Sequence, residues 1–141
     1  MARSTRLTVV ADTGAIYALI DASDAWHVRV SEWWKDNRSP VVLPAAILPE
    51  VSYLLQTRID PSAEEAFIRS VAEDEFSVDS VGDHVRIADL MREYADLPLS
   101  FVDASVVAMT ESYETRKVLT TDRRHFGVVR PRHTRSLELL P

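Results

Sequence analysis

Leu7-Thr8-Val9-Val10-Ala11-Asp12-Thr13-Gly14 passes within one short stretch from a β-branched apolar run to an acid, a hydroxyl and a glycine. Such a run reads as a strand buried on both faces, and the polar residues and glycine that close it read as a turn. Strand one therefore ends at Asp12. Helical patterns follow at Ala15 to Ile20 and at Ala25 to Lys35, the second with Asp24 as N-cap and Asn37 to Pro40 as its stop. Pro40-Val41-Val42-Leu43-Pro44 is a second short buried strand. Buried strands alternating with helices imply βαβ units, hence a mainly parallel sheet covered by helices on both faces.

The alternation continues along the chain. Ile47, Val51, Leu54 and Leu55 stand at helical spacing, and Pro49 fits only if that helix begins near Ile47, where first-turn amides need no partner. Glu50 then lies in a first turn. Asp60-Pro61 marks the next helix start, with Phe67, Ile68 and Val71 as a buried stripe up to the acidic break from Glu73 to Glu75. Phe76 to Val81 alternates as a third strand does, and Val85, Ala88, Leu90 and Met91 suggest a helix ending before Leu97-Pro98-Leu99. Ser100 reads as an N-cap with Asp103 at the third helical position. Lys117 to Thr120 is a fourth strand leading to Asp122, and Val128-Val129 and Leu137 to Leu140 each suit an edge strand. The expectation is a three-layer α/β/α sandwich with a central mainly parallel sheet, one domain over residues 1–141, without linker, internal repeat or low-complexity segment.

Composition narrows the chemistry. Hydrophobic residues at 46% and charged residues at 27% exclude the disordered class. The absence of cysteine excludes a disulfide framework, a thiolate zinc site and a cysteine nucleophile, and makes the cytoplasm the expected compartment. No run approaches the ~18 apolar residues of a membrane span, and Met1 to Thr8 lacks the apolar stretch of a secretory signal. His27, His84, His125 and His133 lie too far apart for a helical pair of zinc ligands, so a metal here must prefer oxygen. A net charge of −6 argues against a general nucleic-acid binder. Yet Arg116 to Arg135 carries seven basic residues against the one acid Asp122, a local balance of +6 that leaves −12 elsewhere. That asymmetry suits a basic strip for phosphates beside an acidic pocket for cations.

The acids carry the argument further. Ligands of open parallel sheets collect beyond the carboxyl ends of the strands, where the reading places Asp12 and Asp122. Glu50 and Asp103 begin helices that face the same edge. Four converging carboxylates repel one another unless cations lie between them, and all-oxygen ligation is what magnesium prefers. A divalent ion there activates a water and binds a phosphodiester oxygen, so phosphodiester hydrolysis follows, through one ion or two. Each acid alone has a duller account: Asp12 or Asp103 as a helix cap, Glu50 as a dipole partner, Asp122 as a turn residue. The coincidence of all four favours the site.

These residues also resemble a known family. Asp12-Thr13 with Ile16-Tyr17-Ala18-Leu19-Ile20-Asp21, Pro44 followed six residues later by Glu50-Val51, Phe101-Val102-Asp103-Ala104, and Leu119-Thr120-Thr121-Asp122-Arg123-Arg124-His125-Phe126 resemble the motifs of PIN-domain nucleases. They are most similar to the VapC toxins of bacterial toxin–antitoxin pairs, over essentially the whole chain. The resemblance implies a metal-dependent endoribonuclease, Mg2+ or Mn2+ held by Asp12, Asp103 and Asp122, an acidic cluster completed by catalytic Glu50, and Thr13 as a polar neighbour. It further implies a homodimer that cleaves tRNA or ribosomal RNA and is silenced by a cognate VapB-type antitoxin. Gly14 departs from the family pattern, standing where many relatives have a small polar residue.

Arg123 and Arg124, beside Asp122, are candidates for RNA phosphate contacts. His125 and Phe126 either stack on a base or pack the turn, the core being favoured for Phe126. Of Trp26, Trp33 and Trp34, adjacent side chains point about 100° apart, so one faces a partner or lies half-buried. Rival readings are a catalytically silent RNA- or protein-binding module, which the four acids oppose, and a receiver-like phosphotransfer domain. The latter needs a lysine at a strand end, and Lys117 begins its strand while Lys35 lies in a helix. A Rossmann nucleotide site is weaker still, for want of Gly-x-Gly-x-x-Gly.

Overall fold

Five strands, β1 (Val9–Ala11), β2 (Val41–Pro44), β3 (Ser77–Asp79), β4 (Lys117–Leu119) and β5 (Glu138–Leu140), form one sheet in the order β3-β2-β1-β4-β5. Every pairing is parallel, with Val10 opposite Val42 and Val118, and Leu119 opposite Leu140. The computed structural model describes residues 6–141, so Met1–Thr5, part of the stretch read as lacking a signal, lie outside it. Among the described residues no helix is long and apolar enough to cross a membrane.

Seven helices among the described residues connect and cover the strands: α1 (Thr13–Ile20), α2 (His27–Asp36), α3 (Ile47–Arg58), α4 (Pro61–Ala72), α5 (His84–Glu93), α6 (Phe101–Tyr113) and α7 (Arg123–Phe126). α1 packs on α2 and α3, and α3 on α4 and β2, while α5 and α6 form a second pair whose α6 lies along β1 and β2. The layered α/β expectation holds. β1 is buried at all three positions and α6 from Ala104 to Thr110, as burial on both sheet faces and a helix laid flat on the sheet require. Val9, Val10, Ile16, Leu43, Ile47, Val51, Leu55 and Leu119 fill the centre at 0 to 1% exposure. Each large aliphatic side chain so buried contributes roughly 1.5–3 kcal/mol relative to an exposed one.

The strand order locates the site. The chain winds from β1 through β2 to β3, then crosses back to place β4 and β5 on the other side of β1. The topological switch lies between β1 and β4, whose carboxyl ends carry Asp12 and Thr120-Thr121-Asp122. This order also separates the sheet from the 2-1-3-4-5 arrangement of receiver-like folds.

Two element expectations fail for local reasons. The second helix starts at His27, because the Asp24 carboxylate accepts the Trp26 N–H at 2.8 Å and the Asp24 carbonyl accepts the His27 N–H, making a turn; Trp26, not Asp24, is the N-cap. Val128-Val129 is no edge strand, since both amides bond back to the His125 carbonyl at the end of α7 and are lost to a ladder. Leu137 to Leu140 does supply an edge strand, trimmed to Glu138–Leu140. Pro49 and Glu50 sit in the first turn of α3, as the proline demanded.

Candidate active site

Asp12 follows β1 directly and precedes α1, yet its side chain makes no cap hydrogen bond and is only 6% exposed. The capping account of this acid therefore fails. The fully buried Thr120 donates its hydroxyl to Asp12 Oδ2 at 3.1 Å, and the Thr120 hydroxyl oxygen accepts the Asp122 N–H at 2.9 Å. One hydroxyl thus ties the end of β1 to the turn after β4. Burial pushes the Asp12 carboxyl from 3.8 up to about 7; the charges of Asp103 and Asp122 push the same way, against the Thr13 N–H and the Thr120 hydroxyl.

Asp103 and Asp122 serve local structure as well. Asp103 closes a capping box, accepting the Ser100 N–H at 3.2 Å while its own N–H donates to the Ser100 hydroxyl at 3.1 Å. Asp122 caps α7, with Oδ1 accepting the His125 N–H at 2.9 Å and Oδ2 lying 2.8 Å from His125 Nδ1. His125 thus contacts a site acid, and Phe126 is buried in the core. Glu50 is exposed, and Thr13, itself buried, donates its hydroxyl to Glu50 Oε1 at 2.7 Å. The start of α1 is thereby linked to the start of α3.

The structure brings Asp103 and Asp122 each within electrostatic reach of Asp12 and sets Glu50 beside Thr13. As the side chains stand, no three Asp, Glu or His residues among those described close around one point. Asp103 and Asp122 are turned to their caps, and both must rotate toward Asp12 to share a cation. The donor set nevertheless fits a hard divalent ion: it is all oxygen, and a buried carboxylate beside two others lacks a positive charge. Arg123 and Arg124 are exposed next to Asp122, and the Arg123 guanidinium donates to the Pro141 main-chain oxygen at 2.6 Å.

Sequence reasoning quoted Thr120 as a strand end and within the last motif, but gave it no role. A hydroxyl beside an acid at the end of a buried strand is the signal that finds it. At Gly14 a Cβ falls 2.5 Å from Thr121 Oγ1 and 3.8 Å from its Cβ, so a side chain there requires the Thr121 hydroxyl to rotate away. Trp26, Trp33 and Trp34 are all half-buried against the core margin, with Trp34 edge-on to Trp33 and to Phe76.

Comparison with known proteins identifies the family and matches the fold. Residues 9–130 match the PIN domain model. The chain is 32% identical over 125 residues to Ribonuclease VapC26 of Mycobacterium tuberculosis, covering 87% of this chain and 93% of that protein. The fold superposes on M. tuberculosis VapC20, described as a sarcin-ricin loop cleaving toxin, with a TM-score of 0.76 at 21% identity, covering 82% of this chain and 91% of that one. It also superposes on VapBC2 of Rickettsia felis bound to a DNA fragment from its promoter, with a TM-score of 0.66 at 12% identity over 95% and 99% of the two chains.

Proposed function

The chain belongs to the PIN-domain family and to its VapC ribonuclease toxins, and from that premise we propose that it is a divalent-metal-dependent endoribonuclease acting in the cytoplasm on tRNA or ribosomal RNA. In this reading it forms a homodimer and is held inactive by a VapB-type antitoxin. The observation that carries the proposal is Asp12, a carboxylate buried at the topological switch point, without a capping role, beside two further carboxylates. A purely structural acid gains nothing from that placement.

Asp12, Asp103 and Asp122 would hold Mg2+ or Mn2+, and Glu50, bonded by Thr13 at the start of α1, would complete the acidic set. The ion would supply positive charge that polarises the phosphodiester and lowers the cost of ionising water. Thr13 fixes one oxygen of Glu50 and leaves the other to orient an attacking water and take its proton. Thr120 ties the Asp12 carboxylate to the main chain of the Asp122 turn. Arg123 and Arg124 supply positive charge for the flanking phosphates.

The test is a gel assay of purified, antitoxin-free protein on total cellular RNA with magnesium, manganese or chelator. Discrete fragments from the wild type only with metal, absent with Asp103→Asn, are expected. Cleavage that survives chelation, or full activity in the Asp103→Asn variant, refutes the mechanism.

A further inference from the structure

Arg123 and Arg124 account for only part of the basic strip. Arg116, Arg132 and Arg135 are also exposed, and the sheet topology fixes their place. β5 runs parallel to β4, so after α7 the chain must return from the carboxyl edge to the amino edge before β5 begins. Arg132 and Arg135 lie on that return, and Arg116 lies at its end, where its carbonyl accepts the Glu138 N–H at 2.6 Å. No acid occurs from Arg123 to Leu137. The basic flank thus leads away from the candidate active site. The Arg132 N–H donates to Glu111, which stands eight residues beyond Asp103 on α6, or about 12 Å at 1.5 Å per residue.

The return carries neither helix nor strand, yet its backbone is pinned. Val129 and Pro131 are buried, the Arg130 N–H donates to the Tyr94 hydroxyl at 2.8 Å, and the Arg130 guanidinium donates to the carbonyl oxygens of Gly127, Val128 and Val129. The Arg132 N–H donates at 2.8 Å to Glu111 Oε2, an oxygen already fixed by the buried Arg86, and His133 Nε2 lies 2.7 Å from the Thr115 carbonyl oxygen. Main-chain contacts and Arg130 hold the segment. Among the described residues, none of the Arg116, Arg132 and Arg135 guanidinium groups forms an ion pair. Glu111 and Glu114 are already matched by Arg86 and Arg6, and Glu138 stands opposite Lys117 in the ladder. Uncompensated like charges on a fixed backbone repel one another and gain when a polyanion arrives. The chain outside residues 116–135 carries −12, so this flank is the surface whose sign attracts an RNA backbone.

We propose that Arg116, Arg132 and Arg135 form a remote binding surface for the phosphate backbone of RNA, gripping the substrate beyond the nucleotides that lie at the acids. This rests on the ribonuclease reading of those acids. The surface contributes affinity for long RNA and no chemistry, because phosphate contacts position a nucleic acid without reading its sequence.

The test separates binding from cleavage. In an Asp103→Asn background with chelator present, fluorescence anisotropy measures affinity for a long labelled stem-loop RNA and for a labelled hexanucleotide. One variant combines Arg116→Gln, Arg132→Gln and Arg135→Gln. A control of the same net charge combines Arg38→Gln, Arg58→Gln and Arg69→Gln, all exposed on the side of α2, α3 and α4. A thermal melt checks that both fold. The first variant is expected to weaken stem-loop binding by roughly 10- to 100-fold at about 0.1 M salt and to lower the log–log salt slope by about 2, at about 0.7 per phosphate contact. Hexanucleotide binding is expected to stay within about twofold, because a short strand at the acids does not reach the flank. Equal weakening by the control overturns the surface in favour of net charge alone. Equal weakening for the hexanucleotide also overturns it, by placing these arginines at the acids. Unchanged stem-loop affinity overturns it too, and a lost affinity for poly-glutamate in that case assigns the flank to an acidic protein. After any of these the cleavage assay still judges the enzyme, whereas a parent protein that binds neither RNA refutes the ribonuclease reading and the surface together.

Discussion

Replacing Asp12 by Asn stabilises the metal-free protein at alkaline pH while abolishing activity. The carboxyl titrates at about 7 in the folded chain against 3.8 as the ordinary value, chiefly because it is buried. The folded state therefore holds the proton more tightly than the unfolded chain. Between those two pH values the folded protein binds more protons, so stability falls as pH rises from about 4 to 7 and stays low above it. At about 1.36 kcal/mol per tenfold, the ceiling is on the order of 4 kcal/mol. Asparagine removes that charge and retains an oxygen for the Thr120 hydroxyl at Oδ2, but its amide nitrogen needs a partner, at a cost of roughly 1–2 kcal/mol. The net gain at pH 8 is about 2 kcal/mol, or roughly 5 to 8 °C in Tm for a chain of this length. Urea unfolding in chelator at pH 5 and pH 8 measures it. The variant is expected to be no better than wild type at pH 5 and better at pH 8. Magnesium is expected to raise the wild type alone, by about 2.7 kcal/mol at one hundred times its Kd. A variant equally destabilised at both pH values refutes the reasoning, because the carboxylate is then an ordinary hydrogen-bonded acid.

Other sites give sharper packing tests. Arg86 and Glu111 form a buried bidentate pair at 2.7 Å on both arms, so Arg86→Met leaves an uncompensated carboxylate and is expected to cost about 3–5 kcal/mol in urea unfolding. Adding Glu111→Leu should recover most of that loss. Ser100→Ala removes the hydroxyl that caps α6 but keeps the main-chain N–H that holds the Asp103 carboxylate, and is expected to cost about 1 kcal/mol while leaving kcat and KM for RNA nearly unchanged. Gly14→Ala forces Thr121 to rotate away and should destabilise by about 1 kcal/mol. In a Thr121→Ala background the same change should stabilise by roughly 0.5–1 kcal/mol, because alanine is then only a better helix former. A thermal melt of the four proteins reads that reversal of sign.

The parallel sheet was legible in Val9 to Ala11 and Val41 to Pro44 because strands buried on both faces need continuous apolar runs, and such runs leave few alternatives. Ser100 and Asp103 were legible because a capping box is a local device written within four residues. The start of α2 was not, since Asp24 can bond either as a cap or in a turn two residues on, and packing of Trp26 and His27 selects the turn. Val128 and Val129 fit a strand by composition, but their amides are spent on the carbonyl of His125. Nor did any linear pattern pair Thr120 with Asp12, 108 residues away, or bring Arg123 to Trp26; both depend on where β4 crosses back beside β1.

The structural and catalytic accounts of these acids are therefore not alternatives. Asp103 and Asp122 sit at the amino ends of α6 and α7, where unpaired amides and the helix dipole favour negative charge. Those contacts keep two carboxylates in place before any cation arrives, Asp103 through one hydrogen bond and Asp122 through both oxygens to His125. Asp12 lacks such a cap and is also the one that burial pushes upward. A divalent ion gains most at the acid that the fold stabilises least, and the two capped acids need only turn toward it. Activity and the stability of the metal-free fold should then separate on mutation. Ser100→Ala loosens the fold and leaves the acids in place, whereas Asp12→Asn strengthens the fold at pH 8 and destroys the site.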